Sequence, residues 1–376
     1  MRVLVAPDKF KGSLSATEVA DGLVEGLAGV GAEPLALPLA DGGDGSVAAA
    51  LAAGMRPHRC TVANALGRPA SAAIAMSGAT AVVEVASTCG LSTLPRGVLA
   101  PKTASSYGFG EAIRHAIGAG ARRVVLALGG SASTDGGSGM LSALGYTFID
   151  EHGRVTAPSA AELPGIRKIR TDNAINLSGV ELVIAGDVTN PLLGPNGAAR
   201  VFGPQKGASP TDVAHLERGL SHLVSVLAES GVRGARTLAG TPGAGAAGGI
   251  GFAALSLGGR IVSGADYFLD LLRFDDHVSA ADLVVTGEGR LDEQTLAGKL
   301  PAAVARRAAP LPVVAVVGRN SLTRPTPMFV ETYALADHSD TDTAGDPIRS
   351  ASLLRRIGAE IGARHAMPGS AITRTG

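Results

Sequence analysis

Short apolar runs that do not alternate with polar residues constrain this chain most. They include Val3–Ala6, Pro34–Leu39, Ala81–Val85, Val124–Leu128, Leu182–Ala185, Leu283–Thr286 and Val313–Val317, in stretches punctuated by Gly, Pro or Asp. Runs of this kind fit strands buried on both faces, as in parallel sheets. Helical patterns lie between them. Ser15-Ala16-Thr17-Glu18 reads as a capping box, in which hydroxyl and carboxylate satisfy free N–H groups at a helix start. Val19, Leu23, Val24 and Leu27 follow at helical spacing. Ser209-Pro210-Thr211-Asp212 is a second start, with Pro in the first helical position, and Val213, Leu216, Leu220, Leu223, Val224 and Leu227 mark one buried face. Strands alternating with helices predict an α/β protein with a mainly parallel sheet. Residues 56–84 differ: strand-like pieces around Cys60–Ala63 and Ala72–Met76, with turns at Asn64–Pro69 and Ser77-Gly78, predict an antiparallel segment. There is no long repeat, and the tail Met367–Gly376 has little to bury and is expected to fray.

Composition narrows the function classes. A chain of 376 residues suits two domains. Thirty-three Lys and Arg balance 33 Asp and Glu, which argues against a binder of nucleic acid or anionic membrane working by bulk charge. Aromatic residues are 3% and Trp is absent, so stacking is not the expected mode of recognition. Cys60 and Cys89 lack C-x-x-C spacing and read as reduced thiols rather than a disulfide or zinc site. The N-terminus lacks a signal-peptide core, and no apolar run approaches the ~20 residues of a membrane span. A soluble, cytoplasmic protein is expected. Glycine, 52 residues, is about twice its usual share and has no collagen period, so the excess needs a reason.

Six polar, glycine-bearing segments supply one. Asp8-Lys9-Phe10-Lys11-Gly12-Ser13 follows the first strand, where ligands sit in open α/β sheets; two lysines, a hydroxyl and a helix start suit a phosphate, or the lysines are simply solvated. Asp41-Gly42-Gly43-Asp44-Gly45 could hold Mg²⁺ or form a turn and helix cap. Gly129-Gly130-Ser131-Ala132-Ser133-Thr134-Asp135 can wrap phosphates with backbone N–H groups and set Asp135 beside them. Asp187 follows a strand, a position for a general base or metal ligand, and Asn190, Arg200 and Lys206 share its long segment. Arg200 and Lys206 could clamp a carboxylate or phosphate. In Pro242–Gly251 small residues permit close approach to a ligand, or tight packing. Glu288, Asp292, Thr295 and Lys299 fit Mg–nucleotide binding, or a self-neutralising group of charges. One phosphate-handling enzyme site explains the six together. The histidines show no metal or triad spacing, and His215 and His222 read as structural. Gly129–Ser133 lacks the closing Gly of a nucleophile elbow, against a serine hydrolase.

Assembled in order, these segments resemble the glycerate kinase family of the bacterial class that includes glyoxylate- and glucarate-pathway enzymes. The carriers include Ala6-Pro7-Asp8-Lys9-Phe10-Lys11-Gly12-Ser13, Gly129-Gly130-Ser131-Ala132-Ser133-Thr134-Asp135, Asp187-Val188-Thr189-Asn190-Pro191, Phe202-Gly203-Pro204-Gln205-Lys206-Gly207 and Thr286-Gly287-Glu288-Gly289-Arg290. The resemblance spans nearly the whole chain. It implies phosphorylation of D-glycerate by ATP with Mg²⁺, generally to 2-phosphoglycerate. It also implies a Rossmann-like parallel-sheet domain built from both chain ends and an inserted mixed α/β domain, with the active site in the cleft between them. We bound these at 1–64 with 275–376, and 65–274. Departures are Phe109 where Thr is expected, which could alter a pocket wall, Thr134 for Asn and Asp44 for Glu.

From residue chemistry, the candidate catalytic set is Asp187 (base or Mg²⁺ ligand), Asn190 (orienting substrate), and Arg200 and Lys206 (anchoring carboxylate or transferring phosphate). Candidate cofactor-binding residues are Lys9, Lys11, Ser13, Gly130, Ser131, Asp135, Gly243, Gly245, Gly248 and Lys299. Candidate metal ligands are Asp41, Asp44, Asp187 and Glu288. The rivals are a kinase for a related small hydroxy acid, tartronate-like for example, and a non-catalytic hydroxy-acid sensor. A monomer or homodimer with no nucleic-acid or membrane partner is expected.

Overall fold

The computed structural model describes residues 1–296, 298–339 and 342–365. The tail expected to fray, Met367–Gly376, lies outside them. The chain divides into two units, Met1–Asp41 with Ala265–Gly376, and Gly42–Gly264.

The first unit is built on five parallel strands in the order Glu331–Ala334, Val313–Asn320, Leu283–Leu291, Arg2–Pro7 and Glu33–Ala36. The strand starting at Leu283 runs beyond the expected Thr286, so Glu288 lies on the strand itself, past its fully buried part. Glu33–Ala36 is the exception to two-sided burial. It is a largely exposed edge strand, where Pro34 is tolerated because a ladder donor is not needed on the open side. Helix Ala16–Ala28 starts at the expected capping box: Glu18 N–H donates to Ser15 Oγ at 3.3 Å, and Ser15 N–H donates to the Glu18 carboxylate at 2.8 Å. Its apolar face, Val19, Leu23 and Leu27, joins a core with Leu354, Ile357 and Ile361 of helix Pro347–His365. The two helices meet closely at glycines. A Cβ at Gly26 would lie 2.0 Å from the Arg355 carbonyl oxygen.

The second unit carries a six-stranded mixed sheet, ordered Arg260–Val262, Glu181–Ala185, Arg123–Ala127, Thr80–Glu84, Pro69–Ser77 and Arg56–Ala63. The first four are parallel; the last two form the expected antiparallel segment. Arg56–Ala63, inside the 1–64 span assigned to the first domain, therefore belongs to the second sheet. The division falls earlier, after Asp41. A small antiparallel sheet joins Arg154–Val155, Thr147–Ile149 and Lys168–Arg170. Helix Pro210–Glu229 has the second capping box, and buries Leu216, Leu220, Leu223, Val224 and Leu227. Among the described residues, no helix is long and apolar enough to cross a membrane.

Candidate active site

In the first unit, charged side chains gather just past the carboxyl end of the Arg2–Pro7 strand and on the later part of the Leu283–Leu291 strand. Asp8 is the first residue beyond its strand, and Lys9 folds back on it. The Lys9 N–H donates to Asp8 Oδ1 at 2.8 Å, and the ammonium lies 3.4 Å from Asp8 and 3.7 Å from Asp41. Burial first, and the Asp41 charge second, push the Asp8 carboxyl up to about 7, with Lys9 opposing them. Thr295 Oγ1 donates to Glu288 Oε1 at 2.5 Å, while Lys299, at the start of helix Leu300–Ala308, pairs with Asp292 at 3.7 Å. Burial pushes Glu288 up to about 7 as well; Thr295 and Lys299 counter it, and Asp8 and Asp292 add to it. Lys11 is exposed, and Ser13 Oγ contacts Ser350 Oγ at 3.3 Å. Both line a cavity of about 210 Å³ with Phe10, Arg319 and Thr343. Its lining sets two cationic side chains, Lys11 and Arg319, against one carboxylate, Asp342.

In the second unit, Asp187 stands two residues past the Glu181–Ala185 strand. It is exposed, and its Oδ1 accepts the Gly264 N–H at 3.1 Å. Arg200, on the short helix Ala198–Phe202, is exposed too. Asn190 is committed to its own segment, Nδ2 donating to the Asn196 carbonyl at 2.8 Å. The Gly129–Asp135 turn uses some of its N–H groups inside the protein: Gly129 donates to the Gly42 carbonyl at 3.3 Å and Ala132 to that of Cys89 at 3.2 Å. The N–H groups of Gly130 and Ser131 have no hydrogen-bond partner among the described residues. Gly130 is exposed with φ +78°, a conformation that favours glycine. Asp44, exposed, stands near it: a Cβ on Gly130 would lie 3.9 Å from the Asp44 Cβ.

Several expected ligand contacts are internal. Asp135 is fully buried, accepting Ser106 N–H and Oγ–H at 2.7 Å each, Gly137 N–H at 3.1 Å and Gly139 N–H at 3.3 Å. Burial pushes its carboxyl up against those bonds. Lys206 is 2% exposed, and its ammonium donates to Ser131 Oγ at 2.9 Å and to the Ser133 carbonyl. Burial pulls it down to about 8, opposed by Asp135 and then Cys89. Gly245 and Gly248 have a packing reason, and Gly243 a backbone one, φ +88°. Cβ atoms added at Gly243, Gly245 and Gly248 would lie 2.6 Å from Ile261 Cδ1, 2.3 Å from the Pro191 carbonyl oxygen and 2.2 Å from that of Ser133. Phe109 is fully buried in the hydrophobic core, on the inward face of helix Tyr107–Gly118. Cys60 and Cys89 are buried free thiols, and His222 bonds the Ile166 carbonyl at 2.6 Å.

Asp8 is absent from the candidate lists, although its place directly after a buried strand was a readable signal. Ser106 carried no such signal, because its role depends on Asp135, 29 residues away. Among the described residues, no group of three or more His, Cys, Asp or Glu is placed to hold a metal. Mg²⁺ does not need one: it commonly takes one or two carboxylates, with waters and substrate phosphates completing the octahedron. The donor set around Asp8, where Asp41 and Glu288 are both felt electrostatically, has the hard oxygen chemistry that fits it.

Parallel-sheet α/β units with acids and lysines near the carboxyl ends of their strands have the architecture in which enzymes of this class commonly bind small ligands. The model of the glycerate kinase family matches residues 3–344. Glycerate kinase of Bacillus subtilis is 40% identical over 330 residues, covering 85% of this chain and 86% of that protein. Glycerate 2-kinase of Escherichia coli is 38% identical over 333 residues, 85% of each. The crystal structure assigned to glycerate kinase 2 of Salmonella typhimurium LT2 aligns with a TM-score of 0.78 at 34% identity, covering 97% of this chain and 98% of that one. The chain belongs to the glycerate kinase family, and it is a kinase.

Proposed function

We propose that this kinase transfers the γ-phosphoryl group of ATP to the 2-hydroxyl of D-glycerate, giving 2-phosphoglycerate. Family membership supports the substrate, and the similarity to a glycerate 2-kinase supports the position. The observation that carries the chemistry is Asp187, an exposed carboxylate just past a buried strand, steadied by the Gly264 N–H. In this reading Asp187 accepts the proton of the attacking hydroxyl, and Arg200 holds the carboxylate of glycerate by its planar fork. The open N–H groups of Gly130 and Ser131 meet phosphate oxygens, and Lys9, Lys11 and Ser13 serve the nucleotide phosphates. Asp41 and Glu288 are the residues that would hold Mg²⁺, which supplies charge neutralisation on the phosphates when bound. Asn190 steadies the Asp187 segment, and Lys299 neutralises Asp292.

Asp187→Asn removes the proton acceptor while keeping the shape. It is expected to lower kcat by about 10²–10⁴-fold with an unchanged thermal midpoint. Turnover within threefold of wild type, as an order of magnitude about unity, would remove Asp187 from the reaction.

A further inference from the structure

A lysine with 2% exposure needs a reason to be inside a protein. Burying an ammonium is unfavourable unless its donors find acceptors, and methionine of similar volume would pack there without that penalty. The acceptors of Lys206 are specific: Ser131 Oγ at 2.9 Å and the Ser133 carbonyl, two residues apart on one turn. Lys206 itself is held rigidly. It ends the 3-10 turn Pro204–Lys206, and the following Gly207, at φ +92°, packs so closely that a Cβ would lie 2.7 Å from Leu99 Cβ. The opposite side of the Gly129–Asp135 turn is fixed by Asp135 through Ser106, Gly137 and Gly139. Between these braces, Ser133 Oγ and Thr134 Oγ1 are buried with no hydrogen-bond partner among the described residues. The side-chain hydroxyls of these two residues therefore do not fix the turn; the ammonium does so on this side, while Leu91 N–H, donating to the Gly130 carbonyl at 2.9 Å, and the Cys89 carbonyl, accepting Ala132 N–H at 3.2 Å, hold its first residues. What it helps to fix is a turn in which the N–H groups of exposed Gly130 and largely buried Ser131 have no hydrogen-bond partner among the described residues.

We propose that Lys206 is a positioning residue, whose buried ammonium clamps Ser131 and Ser133 and so presents the Gly130 and Ser131 N–H groups to the transferring phosphate. The inference rests on the phosphotransfer reading above. Lys206 does not touch glycerate. Its removal is therefore felt in turnover and at the nucleotide, with little change in the KM for D-glycerate.

Lys206→Met keeps the volume and removes the donors. It is expected to lower kcat by about 10²-fold, to leave the KM for D-glycerate within about threefold, and to speed amide hydrogen exchange in residues 129–134 by about tenfold. Lys206→Gln, whose amide stops one bond short of the ammonium, is expected to lose about tenfold in kcat. It decides the matter if the Met variant does not fold. Wild-type turnover and unchanged loop exchange in a folded variant overturn the proposal, as does a loss expressed mainly in the KM for D-glycerate. If wild-type protein gives no ATP-dependent turnover of D-glycerate, the functional reading fails, and loop exchange in Lys206→Met still decides whether Lys206 holds the turn.

Discussion

Glu288 and Asp8 show how single side chains carry a site's energetics. Both carboxyls are raised to about 7 chiefly by burial, which is the reverse of a stabilising ion pair. For Glu288 the folded value lies above the unfolded 4.5, so the folded state binds the proton more tightly. Its stabilising contribution is full below pH 4.5 and is lost as pH rises through 7. Glu288→Gln is therefore expected to raise stability at pH 8 by about 1 kcal/mol, with the gain vanishing near pH 4. Urea denaturation of both proteins at the two pH values checks this, and a variant less stable than wild type at pH 8 contradicts it. The strain held here is consistent with a site that meets a cation in use. Lys9, Asp41 and Glu288 were readable as candidates because their residue types and their nearness to apolar runs are local features of the sequence. The internal roles of Lys206 and Asp135 were not. Lys206 meets Ser131 across 75 residues of sequence, and no local pattern separates a buried lysine from one that grips a ligand.

At the scale of elements, both helix starts were legible because a capping box is written within four residues. The antiparallel segment was legible from its turns. The edge position of Glu33–Ala36 was not, since an apolar run does not say how many neighbours a strand will have. Glycine divided the same way. The Pro242–Gly251 segment admitted ligand approach or packing, and each of Gly243, Gly245 and Gly248 has close neighbours where a Cβ would stand. Packing also governs Gly26. Alanine has the better helix propensity by ~1 kcal/mol, yet its Cβ would sit 2.0 Å from the Arg355 carbonyl oxygen and push the two helices apart. Gly26→Ala is expected to destabilise the protein by about 2–3 kcal/mol, read as a lower urea midpoint. An unchanged or higher midpoint would mean that the helix pair yields freely.

For the molecule as a whole, zero net charge conceals local organisation. Acids and bases are set side by side at strand ends, as in Asp8, Lys9 and Asp41. The α/β class was legible because strand and helix periods differ, and nearly every unpatterned apolar run became a parallel strand. The point at which the chain leaves its first unit was not. The hairpin Arg56–Ser77 looks self-contained in sequence, and only its pairing through Thr80–Glu84 to the parallel strand Arg123–Ala127 assigns it to the second sheet.

The most direct test is the reaction itself: wild-type protein incubated with Mg-ATP and a panel of small hydroxy acids, with ADP release followed and the product examined by phosphorus NMR. D-glycerate is expected to give the fastest ADP release and the resonance of 2-phosphoglycerate. No ADP release with D-glycerate, or faster turnover of a tartronate-like acid, would contradict the assignment.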